Sequence, residues 1–180
     1  MAKIIQNGHP TLRKVAQQVS IKDIPGTKIQ KILADMKNAL AKEYDGVAIA
    51  APQINVSYRI FIVSNKVFTN HIVKEENILK KYEGKDVVFI NPKITKISRD
   101  KKLLSEGCLS VRPLYGKVRR ATRATVEAYN EKGVKFTLSG SGLLAHIFQH
   151  ETDHLDGILF IDKAKDVHEV TEPEKIINEK

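Results

Sequence analysis

The sequence predicts an α+β fold, with mostly antiparallel strands packed around a central helix, and three observations carry that expectation. Two segments, one early and one late, repeat their apolar residues at helical spacing. Between them lie short runs rich in β-branched and aromatic residues, which read as strands. One pair of runs is separated by Asn130-Glu131-Lys132-Gly133, a turn that folds its flanks back as a hairpin. With 180 residues and 42% apolar content, the chain suits one domain spanning 1–180 with a core of its own.

Taken in order, the first helix is expected over Thr27 to Tyr44, because Ile29, Ile32, Leu33, Met36 and Leu40 share one face and Thr27 can cap it. Strands are then expected at Tyr58 to Val63, Val87 to Ile90, Thr122 to Tyr129 and Val134 to Leu138. Residues 64–86 are polar and long for a strand connection, so they read as a surface excursion. Ser139 and Ser141 then offer caps for a second helix, which carries the apolar run Leu143 to Phe148 and ends near Gly157. There is neither a repeat nor a low-complexity tract.

The second helix carries chemistry. His150-Glu151-Thr152-Asp153-His154 places two imidazoles four residues apart, hence on one face, where both can grip one metal ion. Glu151 projects beside that ion, where a carboxylate can move a proton to and from water. A catalytic metal usually takes three protein ligands, so one is missing. His146 lies eight residues from His154, roughly 12 Å along the axis, too far for a shared ion, and reads as lining the site. No third histidine follows Gly157 at metzincin spacing. The single cysteine, Cys108, is either a small buried apolar residue or a thiolate ligand. Gly107 before it permits a close backbone approach, and sulfur beside two imidazoles makes a sound site for a divalent metal.

Three segments occur in a fixed order: Gly46 to Gln53 (GVAIAAPQ), Glu106 to Ser110 (EGCLS) and Gln149 to Gly157 (QHETDHLDG). In these the chain resembles the peptide deformylases, which remove the formyl group from the initiator methionine of nascent polypeptides. The likeness runs from Gly8-His9-Pro10 to Phe160. It implies that Cys108, His150 and His154 bind the metal and that Glu151 is general acid and base. It implies also that the Gln53 amide and the Leu109 backbone N–H stabilise the oxyanion formed when metal-bound water attacks the formyl carbon. An amide donor suits that task, since it meets negative charge without being deprotonated; taken alone, Gln53 also reads as a surface loop amide. By position, Val47, Ala48, Leu104, Gly107, Leu143, His146 and Ile147 would bind the substrate. Ferrous iron is the implied metal, with nickel, cobalt or zinc as substitutes, and a thiolate ligand would make the site oxygen-sensitive.

Two features depart from the family pattern. Ala48 stands where the first motif has a second glycine, adding a methyl group and tolerating positive φ poorly. The 64–86 segment resembles the insertion of the deformylase type common in Gram-positive bacteria, between the first and second motifs.

Composition bounds the remaining possibilities. No window approaches 18 consecutive apolar residues, no secretory core is evident, and one cysteine fits a reducing compartment, so a cytoplasmic monomer away from membranes is expected. The formal charge of +9 gathers around Lys93 to Lys102 and around Lys117, Arg119, Arg120 and Arg123. Those clusters could hold the protein near ribosomal RNA, or be ordinary solvated strand faces. They lack the aromatic interleaving of a sequence-specific nucleic-acid binder. A metallopeptidase would share the metal helix but would not call for the cysteine and glutamine motifs.

Overall fold

The computed structural model describes residues 2–69, 72–73 and 75–170; His71 of the long connection and the tail from 171 lie outside the described residues. Among the described residues, three α-helices, α1 (Thr27–Ala41), α2 (Glu76–Tyr82) and α3 (Gly142–Leu155), accompany eight strands. The strands are β1 (Ala48–Ala50), β2 (Ile60–Val63), β3 (Val87–Ile97), β4 (Lys101–Gly107), β5 (Leu114–Ala121), β6 (Arg123–Tyr129), β7 (Lys135–Ser141) and β8 (Lys165–Glu169). Two sheets result, one in the order β1-β2-β3-β6-β7 and one in the order β4-β5-β8, with every strand pair antiparallel.

Both faces of the larger sheet are covered at its centre, which explains the uninterrupted apolar runs of β2 and β3. Phe61, Val63, Val87 and Phe89 point into one core with Ala145, Ile147 and Phe148 of α3. Their strand neighbours Ile60, Ile62, Val88 and Ile90 point into another, with Ile29, Leu33, Met36 and Leu40 of α1. Phe61 and Phe89 stack with ring centroids 4.5 Å apart, and Phe148 meets Phe89 edge-on at 5.5 Å. Those contacts seat α3 across the sheet.

Helix α1 starts where expected but stops three residues before Tyr44, and Gly26 occupies the cap position with Thr27 as the first helical residue. β3 continues seven residues past Ile90, with Asn91 at φ 51° and register shifts against β6 absorbing the irregularity. β7 extends through Gly140 to Ser141, so Ser139 belongs to the strand and Ser141 alone precedes α3. The 64–86 connection is not merely a surface excursion. Val67 and Phe68 are fully buried, Val73 and Ile78 nearly so, and all four join the α3 core. Their apolar residues are spaced irregularly among polar ones, so no period announced them.

A closed turn ends α3. The N–H of Gly157 reaches the carbonyl of His154 and that of Ile158 reaches Asp153, with Gly157 at φ 73°. A Cβ on Gly157 would also lie 2.7 Å from the carbonyl oxygen of Arg13. Gly157→Ala is therefore expected to lower stability by at least about 1–2 kcal/mol, seen as a lower urea midpoint with an unchanged slope.

Candidate active site and metal centre

Helix α3 presents His150 and His154 on one face, their ring centroids 4.9 Å apart. Cys108 lies in the turn after β4, with Sγ 3.1 Å from His154 Nε2. Cys108 Sγ and one nitrogen from each histidine all lie within 4.8 Å of one another. An ion about 2.3 Å from sulfur and 2.0–2.1 Å from each nitrogen would fit among them. The donors suit a metal chemically as well. The Ser110 N–H (3.4 Å) and the Gln53 amide (3.5 Å) both donate to the sulfur, as suits a negatively charged thiolate. Burial, then the neighbouring His150, holds His154 well below the usual imidazole pKa, keeping a lone pair free for coordination.

The backbone approach at Cys108 depends on Gly107, since a Cβ there would come within 2.5 Å of the Tyr115 ring. On the other side of Gly107, Glu106 is 2% exposed and accepts from three side chains. Arg120 grips it bidentately through Nη2 at 2.8 Å and Nε at 3.1 Å, His146 Nε2 lies at 2.8 Å, and His150 Nδ1 makes the fourth contact. Burial alone would raise the Glu106 pKa, yet these cationic and donor groups outweigh it and hold the carboxyl well below the usual range. Glu106 in turn outweighs the burial of His150 and raises that imidazole's pKa, so a metal at His150 competes with a proton. Because Nδ1 faces the carboxylate, Nε2 is left for the metal.

Glu151 is 4% exposed and its Oε2 has no hydrogen-bond partner among the described residues. Burial pushes its pKa up to about 7. A buried carboxylate oxygen with nothing to accept is costly unless something else enters the cavity to meet it. The Gln53 side chain is buried and its amide is oriented, since Oε1 accepts the Ala50 N–H at 2.8 Å and this turns Nε2 toward Cys108 and Ser110. The Leu109 carbonyl accepts from Gln6, while its N–H has no acceptor among the described residues.

These groups open onto one cavity. Val47, Ala48, Gly107, Leu143, His146 and Ile147 line it, together with Gln53, Cys108, Leu109, His150 and Glu151. Leu104 does not; it stands next to Ser105, which does line the cavity. Ala48 is extended in β1 without positive φ, so the expected backbone strain is absent. Arg112 also borders the cavity, reaching Asp45 at 2.6 Å and Glu43 at 3.1 Å, and so ties the two motif-bearing loops together.

Residues 1–170 match the family model described as polypeptide deformylase. The chain belongs to the polypeptide deformylase family. Peptide deformylase 2 of Clostridium acetobutylicum is 40% identical over 152 residues, spanning 84% of this chain and 87% of that protein. A peptide deformylase structure from Legionella pneumophila superposes with a TM-score of 0.77 at 34% identity, over 92% of this chain and 87% of that one. One from Synechococcus elongatus, in complex with actinonin, gives 0.75 at 29% identity over 92% and 79%. As a deformylase, the protein removes the N-formyl group from nascent polypeptides in a metal-dependent reaction.

Within this deformylase, Glu106 and Arg120 are the residues that motif reading left without a role. Strand alternation held a signal: β5 turns Gly116, Val118 and Arg120 inward while Lys117 and Arg119 stay exposed. An inward arginine requires a buried anion, and Asp153, 2.6 Å from Arg120 Nη1, takes its remaining arm. Removing the carboxylate strands Arg120. Glu106→Ala is expected to cost about 3–5 kcal/mol in denaturant unfolding and to weaken metal binding 10- to 100-fold in chelator competition, on the order of other lost ligand supports. Unchanged metal affinity would show that His150 needs no anchoring.

Proposed function

We propose that Cys108, His150 and His154 hold one divalent ion, ferrous iron in the working enzyme, and that the substrate is the formyl cap of the initiator methionine. The observation that carries this reading is a sulfur and two imidazole nitrogens within 4.8 Å beside a buried glutamate with an unpartnered oxygen. When bound, the ion supplies Lewis acidity, polarising the carbonyl and bringing a water's pKa toward neutrality. Nickel, cobalt or zinc suits the same donors, and sulfur's electron donation tempers the acidity of each.

Glu151 takes a proton from the water that adds to the formyl carbon, then delivers one to the departing amine, so that the C–N bond breaks to give formate and a free amino terminus. A carboxyl pKa near 7 supports both transfers at neutral pH. Gln53 Nε2 and the Leu109 N–H meet the charge that builds on the formyl oxygen; both are donors already held in place on the cavity wall. Val47, Leu143 and Ile147 give the first side chain an apolar seat, with Ala48, Gly107 and His146 around it. Leu104 contributes from β4 only if substrate widens the cavity. We place this single-domain enzyme in the cytoplasm as a monomer, a setting that its one unpaired cysteine suits. No helix among the described residues is long and apolar enough to cross a membrane.

The test is anaerobic purification with metal analysis and formate release from formyl-Met-Ala-Ser. Glu151→Ala should keep the metal and lose nearly all turnover, whereas Cys108→Ala and His154→Ala should lose the metal itself. Turnover surviving in the first variant, or metal retained in the others, would overturn the assignment. Gln53→Ala should lower kcat about 100-fold or more; an effect confined to KM would make Gln53 a binding group instead.

A further inference from the structure

Three consecutive residues, Ile5, Gln6 and Asn7, clasp the two loops that carry Gln53 and Leu109. The Ile5 N–H donates to the Gln53 carbonyl at 2.9 Å, the Gln6 side-chain amide to the Leu109 carbonyl at 3.0 Å, and the Asn7 N–H to the Ser110 carbonyl at 2.7 Å. The clasp is itself anchored. Ile4 packs against the core that holds α1, Ile5 against the smaller core of Leu12, Val111 and Val118, and the Gln6 carbonyl accepts the His9 N–H at 3.1 Å. Gln6 therefore projects from a fixed backbone. Of its two amide atoms only the nitrogen can donate to a carbonyl, which settles how the side chain is turned.

Leu109 is the second residue of a turn closed by the Val111 N–H on the Cys108 carbonyl at 3.0 Å. The Cys108 carbonyl and the Leu109 N–H belong to one planar peptide unit, so that bond holds the unit from which the N–H projects. The next unit is held from both sides. Gln6 takes its oxygen, the Leu109 carbonyl, and the Ser110 N–H at its other end donates to the Cys108 sulfur at 3.4 Å. With both units fixed, the two dihedrals of Leu109 between them are fixed as well, and with them the direction of its N–H. We propose that Gln6 is a positioning residue for the reaction: its bond to the Leu109 carbonyl keeps the Leu109 N–H aimed at the formyl oxygen, in register with the Gln53 amide. The proposal rests on the reading that the Leu109 N–H is an oxyanion donor, and adds the side chain that aims it. Donors fixed before charge develops need no reorganisation during the reaction, and a small misplacement forfeits much of that advantage. Gln6 does not line the catalytic cavity; it borders a second groove with Ile4, Leu109 and Arg112. It therefore acts on the substrate only through Leu109.

Gln6→Met keeps the length of the side chain and removes the donor. In the metal-loaded enzyme, with metal content checked by analysis, it should lower kcat for formyl-Met-Ala-Ser about tenfold and leave KM within about twofold of wild type. Its circular dichroism and urea midpoint should match wild type, because Gln6 is exposed. Replacing Leu109 by its α-hydroxy acid turns the Cys108–Leu109 amide into an ester, which deletes that one N–H and leaves the Leu109 carbonyl in place for Gln6. The ester should lower kcat about 100-fold. Adding Gln6→Met to the ester should lower it no further, since the group that Gln6 aims is gone. An unchanged kcat in Gln6→Met, an effect confined to KM, or the same tenfold loss in the ester background would overturn the positioning role while leaving Leu109 as a donor. An ester protein with the full wild-type kcat would instead refute the Leu109 N–H as an oxyanion donor, and the role of Gln6 would fall with it.

Discussion

One buried carboxylate organises the site. Glu106 sits between the cysteine turn and helix α3, and its two oxygens are shared by Arg120, His146 and His150. An ion of that kind is expensive to bury, and only near-complete hydrogen bonding makes it tolerable. The same bonding fixes the rotation of His150, whose other nitrogen faces the sulfur of a residue 42 positions away in sequence. Arg120 extends the tie to Asp153, within the second turn of the His150–His154 segment, and Lys163 closes it from beyond the helix. His150 is thus held by a charge network as well as by backbone, which is how precise donor geometry survives thermal motion.

That precision needs a rigid platform. Helix α3 lies on stacked aromatic rings from β2 and β3, so its position is set by close packing rather than by its own propensity. The same helix holds groups that weaken the folded state: Glu151 Oε2 and His154 Nδ1 are both buried without hydrogen-bond partners among the described residues. Unsatisfied polar atoms of this sort cost about 1–3 kcal/mol each. The packed side of the helix offsets them, and the burial that makes Glu151 costly also raises its pKa to the range where it can both accept and give up a proton.

Much of this was legible in the chain because the relevant periods are short. The i, i+4 histidines, the apolar face of α1 and the hairpin at Asn130 to Gly133 each depend on neighbours within a few residues, and the structure reproduces them. Long-range pairings were harder to see. β4, β5 and β8 are mostly charged or polar on their exposed sides, so neither apolar alternation nor composition distinguished them from loops. Glu106 stood inside a motif without a role because its partners come from β5 and α3, and a buried ion looks like any surface acid until both are in place. Conversely, the concern over positive φ at Ala48 arose from a glycine pattern, whereas the extended backbone of β1 accommodates a methyl group without strain.

The polar member of the cavity wall shows how binding and metal chemistry are joined. His146 lies among Leu143, Ile147 and Val47, an environment in which an unpaired imidazole edge would be unfavourable. Its Nε2 is turned onto Glu106, so the ring meets the cavity with its strongest hydrogen-bonding demand already answered. Because the same carboxylate also holds His150, the histidine on the proposed substrate wall and the histidine proposed as a metal ligand share one anion. Glu106 meets His146 through one oxygen and His150 through the other, so the two rings are linked through a single side chain. On the proposed roles, selectivity for the first side chain and strength of metal binding both draw on the same two oxygen atoms of Glu106.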